Sequence, residues 1–194
     1  MISIILPYLS TAKCVPLFKK YIKENTKVPF ELVEIVDSYD VYGAYNYGVS
    51  VAKYDKVILF NDDMFVAPGW DTNFVKYIQP KTVTTIWLVE SGRIPVNGKM
   101  IEYDCGRTPE SFDYNKFVNF VNTLDVPEVM EGFENLGAWG PIGFHKSSWI
   151  PYPNDIKYPY SNDVELIEKI LPSLNYSFFR IKSFAYHIQR YGRE

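Results

Sequence analysis

Val57-Ile58-Leu59-Phe60-Asn61-Asp62-Asp63 decides the fold of this chain: an unbroken apolar run stops at two adjacent carboxylates, and the turn Ala67-Pro68-Gly69 follows. A short run of β-branched and aromatic residues predicts a buried strand. Its abrupt end in acids predicts charge delivered to the edge of a sheet, where open α/β folds bind ligands. Carboxylates there suit a hard divalent cation, which prefers oxygen ligands, or a ribose hydroxyl, which needs an acceptor. Taken alone, two acids are better explained as loop residues, one of them capping the next helix.

Outward from that stretch, the first half of the chain alternates strand and helix patterns at short intervals, as a parallel sheet covered by helices requires. Residues 2–6 read as a first strand, and Val15, Leu17, Phe18, Tyr21 and Ile22 give an amphipathic helix over 12–23 with Pro16 in its first turn. A second strand over 30–36 ends at Asp37, a helix covers 43–52, the third strand covers 56–60, and a fourth covers 83–89. Asp71 is placed to cap a helix over 72–78. Beyond Glu90 the pattern loosens. Asn97-Gly98 predicts a hairpin, Asp113 caps a helix through Phe117, Val118 and Val121 to Leu124, and Ser161 or Asn162 caps a helix over 164–171 that Pro172 stops. Gly132, Gly137, Gly140 and Gly143 surround Trp139, which predicts a backbone turning closely around something, or simply a loop. Residues 177–187 read as a last strand.

The 194 residues fit one α/β domain. With 47% hydrophobic and 22% charged residues, the composition is that of an ordinary globular protein. Aromatics reach 17%, including 16 Tyr, and rings of this kind stack on bases or sugar faces, although core packing is their more frequent use. A net charge of −3 provides no broad basic footprint and argues against a nucleic-acid binder. Cys14 and Cys105, far apart in sequence, form no metal or disulfide framework, so a reducing, cytoplasmic setting is expected. No stretch has the length of a membrane span.

In a parallel sheet the strand ends share one edge, so Asp37, Asp62 and Asp63 are expected to converge. Asp163 opens a late helix and His187 ends the last strand. Here the chain resembles a known family. Ile2-Ser3-Ile4-Ile5-Leu6-Pro7-Tyr8, then Val36-Asp37, then Tyr45-Asn46-Tyr47-Gly48, then Asn61-Asp62-Asp63 and Pro68-Gly69-Trp70 look like the ordered motifs of the family 2 glycosyltransferases of GT-A fold. The likeness covers residues 2–75; Ser161-Asn162-Asp163 and Tyr186-His187 extend it. It implies a mostly parallel central sheet flanked by helices, in one GT-A domain over 1–194. Residues 1–90 would form the half that binds the nucleotide-sugar, and 91–194 the acceptor and catalytic half.

The resemblance further implies a metal-dependent, inverting transfer of a single sugar from a nucleotide-diphosphate donor to a glycan or other hydroxyl acceptor, with Mn2+ or Mg2+ as cofactor. UDP is the first choice of donor nucleotide, GDP and dTDP the alternatives. Asp63 and His187 would ligate the metal, Asp62 would contact the ribose, and Asp37 would accept from the base, with Pro7, Tyr8 and Asn46 lining the donor site. Asp163 would be the general base. From the residues themselves, Trp139 is read as a platform on which the acceptor sugar stacks, a buried core position being the more frequent use of a Trp, and Glu131 and Glu134 are the rivals for the role of base. The chain departs from the family pattern at Asn61, which replaces the first acid, at Tyr45, which replaces an arginine, and at Asn162, which replaces a glutamate. The other readings are a catalytically idle nucleotide-sugar or carbohydrate-binding module, and a retaining transferase or nucleotidyltransferase on the same scaffold.

Overall fold

The computed structural model describes residues 1–38, 40–92, 100–132, 140–153 and 163–188. At its centre β1 (Ile2–Tyr8) runs parallel to β2 (Phe30–Val36) on one side and to β3 (Lys56–Leu59) on the other, with Ile4 between Leu32 and Ile58. Residues 2–7 are all buried, as a strand covered on both faces must be. Two further strands are β4 (Met64–Val66) and β5 (Thr82–Glu90), followed by β6 (Met100–Glu102) and β7 (Val129–Glu131). The last are β8 (Ile142–His145) and β9 (Ser177–His187). Together they form one nine-stranded sheet in the order β2-β1-β3-β8-β5-β9-β4, with β6 paired to β5 and β7 to β9.

Helices cover both faces. On one, α1 (Val15–Asn25), α3 (Asp71–Phe74) and α4 (Tyr114–Val121) bring Phe18, Phe74 and Phe117 into a core with Trp70 and Tyr186. On the other, α2 (Val41–Val51) and a π-helical stretch, Val164–Ile170, that leads into α5 (Leu171–Ser173) pack Tyr45, Val49, Leu166 and Leu171 around Tyr152. Gly48 is where α2 meets the sheet: a Cβ there would lie 2.2 Å from Ile5 Cγ2 and 3.0 Å from Ile35 Cδ1. We expect Gly48→Ala to destabilise the protein by about 1–3 kcal/mol through overpacking, despite alanine's better helix propensity, and to lower the urea midpoint.

The sheet is mixed rather than mostly parallel, because β4, β7 and β8 run against their neighbours. Two of these strands carry weak sequence signals. β8 lies inside the glycine-rich stretch, where Gly143 leaves room for Ile78, whose Cδ1 would be 2.7 Å from an added Cβ. β4 has only three residues and follows the acids directly. The helix starts also differ from expectation. Asp40 caps α2 by accepting from Tyr42 N at 3.1 Å. Asp71 lies inside α3, and its carboxylate accepts from Lys27 N and Val28 N at 2.9 and 2.6 Å, tying down the α1–β2 connection. Asp113, by contrast, caps α4 as expected, accepting from Lys116 N at 2.9 Å. The Asn97-Gly98 turn, Ser161 and Asn162 lie outside the described residues.

One irregularity positions the site. Ile86 of β5 faces Ile181 of β9, but Trp87 faces Phe184, so Lys182 and Ser183 bulge from the ladder. The shift sets Glu90 opposite His187, where unbroken pairing would have set it opposite Ala185. Among the described residues no helix is long and apolar enough to cross a membrane.

Candidate functional site

The main chain leaves β3 with Phe60 N still bonded to Ile5 O at 3.0 Å, turns through Asn61-Asp62-Asp63, and re-enters the sheet as β4. Met64 pairs with His187, and Ile188 N donates to Asp63 O at 3.0 Å, so β9 holds the acid turn at its flank. On the other flank of β9 stands Glu90. His187 therefore lies between two acids. Its Nδ1 is 2.6 Å from Glu90 Oε1, and its Nε2 is 3.4 Å from Asp63 Oδ2. Glu90 is buried, and Asp63 Oδ1 is buried with no hydrogen-bond partner among the described residues. Burial opposes charging of His187, but Asp63 and then Glu90 outweigh it and raise the imidazole to about 10. The stability contributed by this charge is complete below the ordinary value of 6.5 and is lost as pH rises through about 10.

Asp63 and His187 fit a divalent cation. Charge-assisted N–H···O bonds are about 2.7–2.9 Å long, so 3.4 Å is a poor hydrogen bond. It is nonetheless a span open to two ligand atoms sharing one ion at about 2.0–2.2 Å each. The orphaned Asp63 Oδ1 supplies a further acceptor at the same place. Among the described residues no three His, Cys, Asp or Glu form a complete metal-binding group, so other ligands would come from a bound substrate, as phosphates do for such ions.

A second set of side chains faces the acids from α2. The buried Tyr45 hydroxyl lies 3.0 Å from Phe60 O and 2.7 Å from Asn61 Oδ1. Burial is the first cause that pushes this phenol up, followed by the fields of Asp63, Tyr42, Asp62 and Asp163. Tyr42 donates to Asp163 Oδ1 at 3.1 Å, and its ring lies 5.0 Å from that of Tyr152. Asp163 thus stands at the head of the π-helical stretch, on the α2 face of the acid turn. The Cys14 thiol, raised to about 12 by burial and then by Asp63 and Asp62, is protonated and inert.

The other sequence candidates take varied positions. Asp37, at the same sheet edge with β1 between it and β3, has φ 58°; its N donates to Tyr8 O at 2.9 Å and its Oδ1 accepts from Ser10 N at 2.7 Å. Exposed Val36 and Val41 lie near it in sequence, and exposed Leu9 precedes Ser10, the residue whose N it accepts from. Pro7 is buried in β1 opposite Ile35. Tyr8 donates to Glu34 at 2.6 Å, and Lys19, which pairs with Glu34, lies 5.4 Å from the Tyr8 ring centre. Asn46 exchanges two hydrogen bonds with the Tyr152 backbone, at 2.9 and 2.8 Å, so its amide braces that segment. Glu131 pairs with Phe179, eight residues along β9 from His187. At about 3.3 Å per residue that is roughly 25 Å, which removes Glu131 as a rival base. Glu134 and Trp139 lie outside the described residues.

Glu90 and Tyr42 escaped the sequence reading. Glu90 carried a usable signal, since Ile86-Trp87-Leu88-Val89-Glu90 is another apolar run stopped by an acid. Tyr42 carried none. No protein-family model matches the chain, and no curated protein matches it. Its function is therefore read from the site.

Proposed function

We propose that the protein is a metal-dependent, inverting glycosyltransferase of GT-A type, moving one sugar from a nucleotide-diphosphate donor to a hydroxyl acceptor. The observation that carries this reading is Asp63 beside His187 at a strand-end edge that also holds Asp62, with Asp163 hydrogen-bonded to Tyr42 of α2. Asp63 and His187 would hold Mn2+ or Mg2+, which would supply positive charge to stabilise the departing diphosphate. The chain's own groups do the rest. Asp62 accepts from the ribose hydroxyls. Asp37 accepts from the base ring, with Pro7 and Tyr8 beside it and Leu9, Val36 and Val41 as apolar flanks.

Asp163 takes the acceptor proton while the acceptor oxygen bonds to the sugar carbon and the bond to the diphosphate breaks on the opposite side, which inverts that carbon. Tyr42 holds the Asp163 carboxylate in place through its hydrogen bond. Trp139 stacks on the acceptor sugar.

The test is a thermal-shift screen of UDP, GDP and dTDP with Mn2+. At a hundred times the dissociation constant the preferred nucleotide contributes about 2.7 kcal/mol, which raises the melting temperature by roughly 5–10 °C. No shift with any of the three, with or without Mn2+, overturns the reading. The neutral Asn61 in place of an acid favours a second reading, a nucleotide-sugar-binding module without turnover. That module gives the same shift but releases no nucleotide diphosphate.

A further inference from the structure

We propose that Glu90 is a positioning residue for the cation site, setting which nitrogen of His187 carries the ring proton and so which one faces the cation. The inference rests on the reading of Asp63 and His187 as ligands. A carboxylate in the interior is costly unless it is paired, and Glu90, 1% exposed, meets His187 Nδ1 at 2.6 Å. The sheet is built to make this contact. Only the bulge at Lys182 and Ser183 brings Glu90 opposite His187.

The geometry then divides the ring. A carboxylate accepts a hydrogen bond, and Glu90 lies 2.6 Å from Nδ1 whereas Asp63 lies 3.4 Å from Nε2, so in the neutral ring the proton belongs on Nδ1. The lone pair of Nε2 is left pointing to Asp63. Metal-ligating histidines commonly donate their other N–H to a carboxylate in this way, which fixes the tautomer and makes the ring a stronger ligand. Here that has an added use. Asn61 is neutral and hydrogen-bonded to Tyr45, so no acid is present at that position, and Glu90 supplies negative charge from behind the imidazole instead.

The rival role is purely structural: Glu90 neutralises a buried imidazolium and nothing more. Glu90→Gln keeps an acceptor for Nδ1–H and discards the charge, whereas Glu90→Leu discards both at similar volume. The experiment measures Mn2+ affinity by calorimetry on wild type, both variants and Asp63→Ala, and the ring 15N shifts of His187 in Zn2+-loaded protein. Expected results are a loss of about 10- to 100-fold in Mn2+ affinity for Glu90→Leu, a smaller loss for Glu90→Gln, and a ring proton on Nδ1 in wild type and Glu90→Gln. Equal affinity in wild type and both Glu90 variants, with Asp63→Ala impaired, overturns the positioning role and leaves the cation site standing. No Mn2+ binding by wild type overturns the cation site and this inference together. Should Glu90→Leu fail to fold, the Glu90→Gln affinity and the wild-type ring spectrum decide; a proton on Nε2 in the loaded protein overturns the proposal.

Discussion

Asp63→Ala is expected to abolish Mn2+-dependent nucleotide binding, lowering affinity on the order of a hundredfold or more. Loss of a partner behind a metal ligand costs about 10- to 100-fold, and Asp63 is proposed as a ligand itself, in a site where the described residues offer His187 as the other. The fold should survive. The backbone bond from Ile188 N to Asp63 O does not need the side chain, His187 keeps Glu90, and Asp63 Oδ1 has no protein partner to lose. Removing a buried, unsatisfied acceptor also relieves a desolvation cost that offsets the lost ion pair. A melting temperature within a few degrees of wild type therefore accompanies the loss of binding. Calorimetric binding of the nucleotide with Mn2+ that is unchanged in Asp63→Ala would sink the metal role.

Asp163→Asn is expected to leave donor binding intact and to slow transfer by about 10²- to 10⁴-fold, the usual contribution of a positioned general base. The amide is close in shape to the carboxylate, and its oxygen still accepts from Tyr42, so the start of the π-helical stretch is preserved. Only the capacity to take a proton is gone. Single-turnover assays with saturating donor separate this from a binding defect. Full turnover in Asp163→Asn moves the base elsewhere, and because Glu131 lies far along β9, the next residue to test is Glu134.

The parts of the fold legible in the sequence are those fixed by local pattern. β1, β2, β3 and β9 are continuous or alternating apolar runs, and their observed positions follow that pattern. β4 and β8 are short strands held by partners distant in sequence, and no local signal announces a partner. The same distinction runs through the site. Asp62, Asp63 and His187 stand at the ends of readable strands, so their edge could be inferred. That Asn46 faces the Tyr152 backbone, and that Glu131 lies at the far end of β9, depend on pairings between segments that the sequence does not link. For Glu90 the strand end is readable, but its pairing with His187 is not: that comes from the bulge that sets the register, and a bulge has no residue signature here.

The place of β9 has a consequence for how the protein is made. Among the described residues β9 comes last of the strands in chain order, yet it is inserted between β5 and β4, and there β4 has no other strand partner. Glu90 and His187 are 97 residues apart in sequence, so their contact carries a large loop-closure cost and belongs late in folding. A nascent chain can complete β1, β2 and β3 and display Asp62 and Asp63 while still lacking β9, the strand that brings His187 to them. On the proposed reading, occupancy of the cation site would be a gauge of sheet assembly: a chain that held the ion would already have inserted β9.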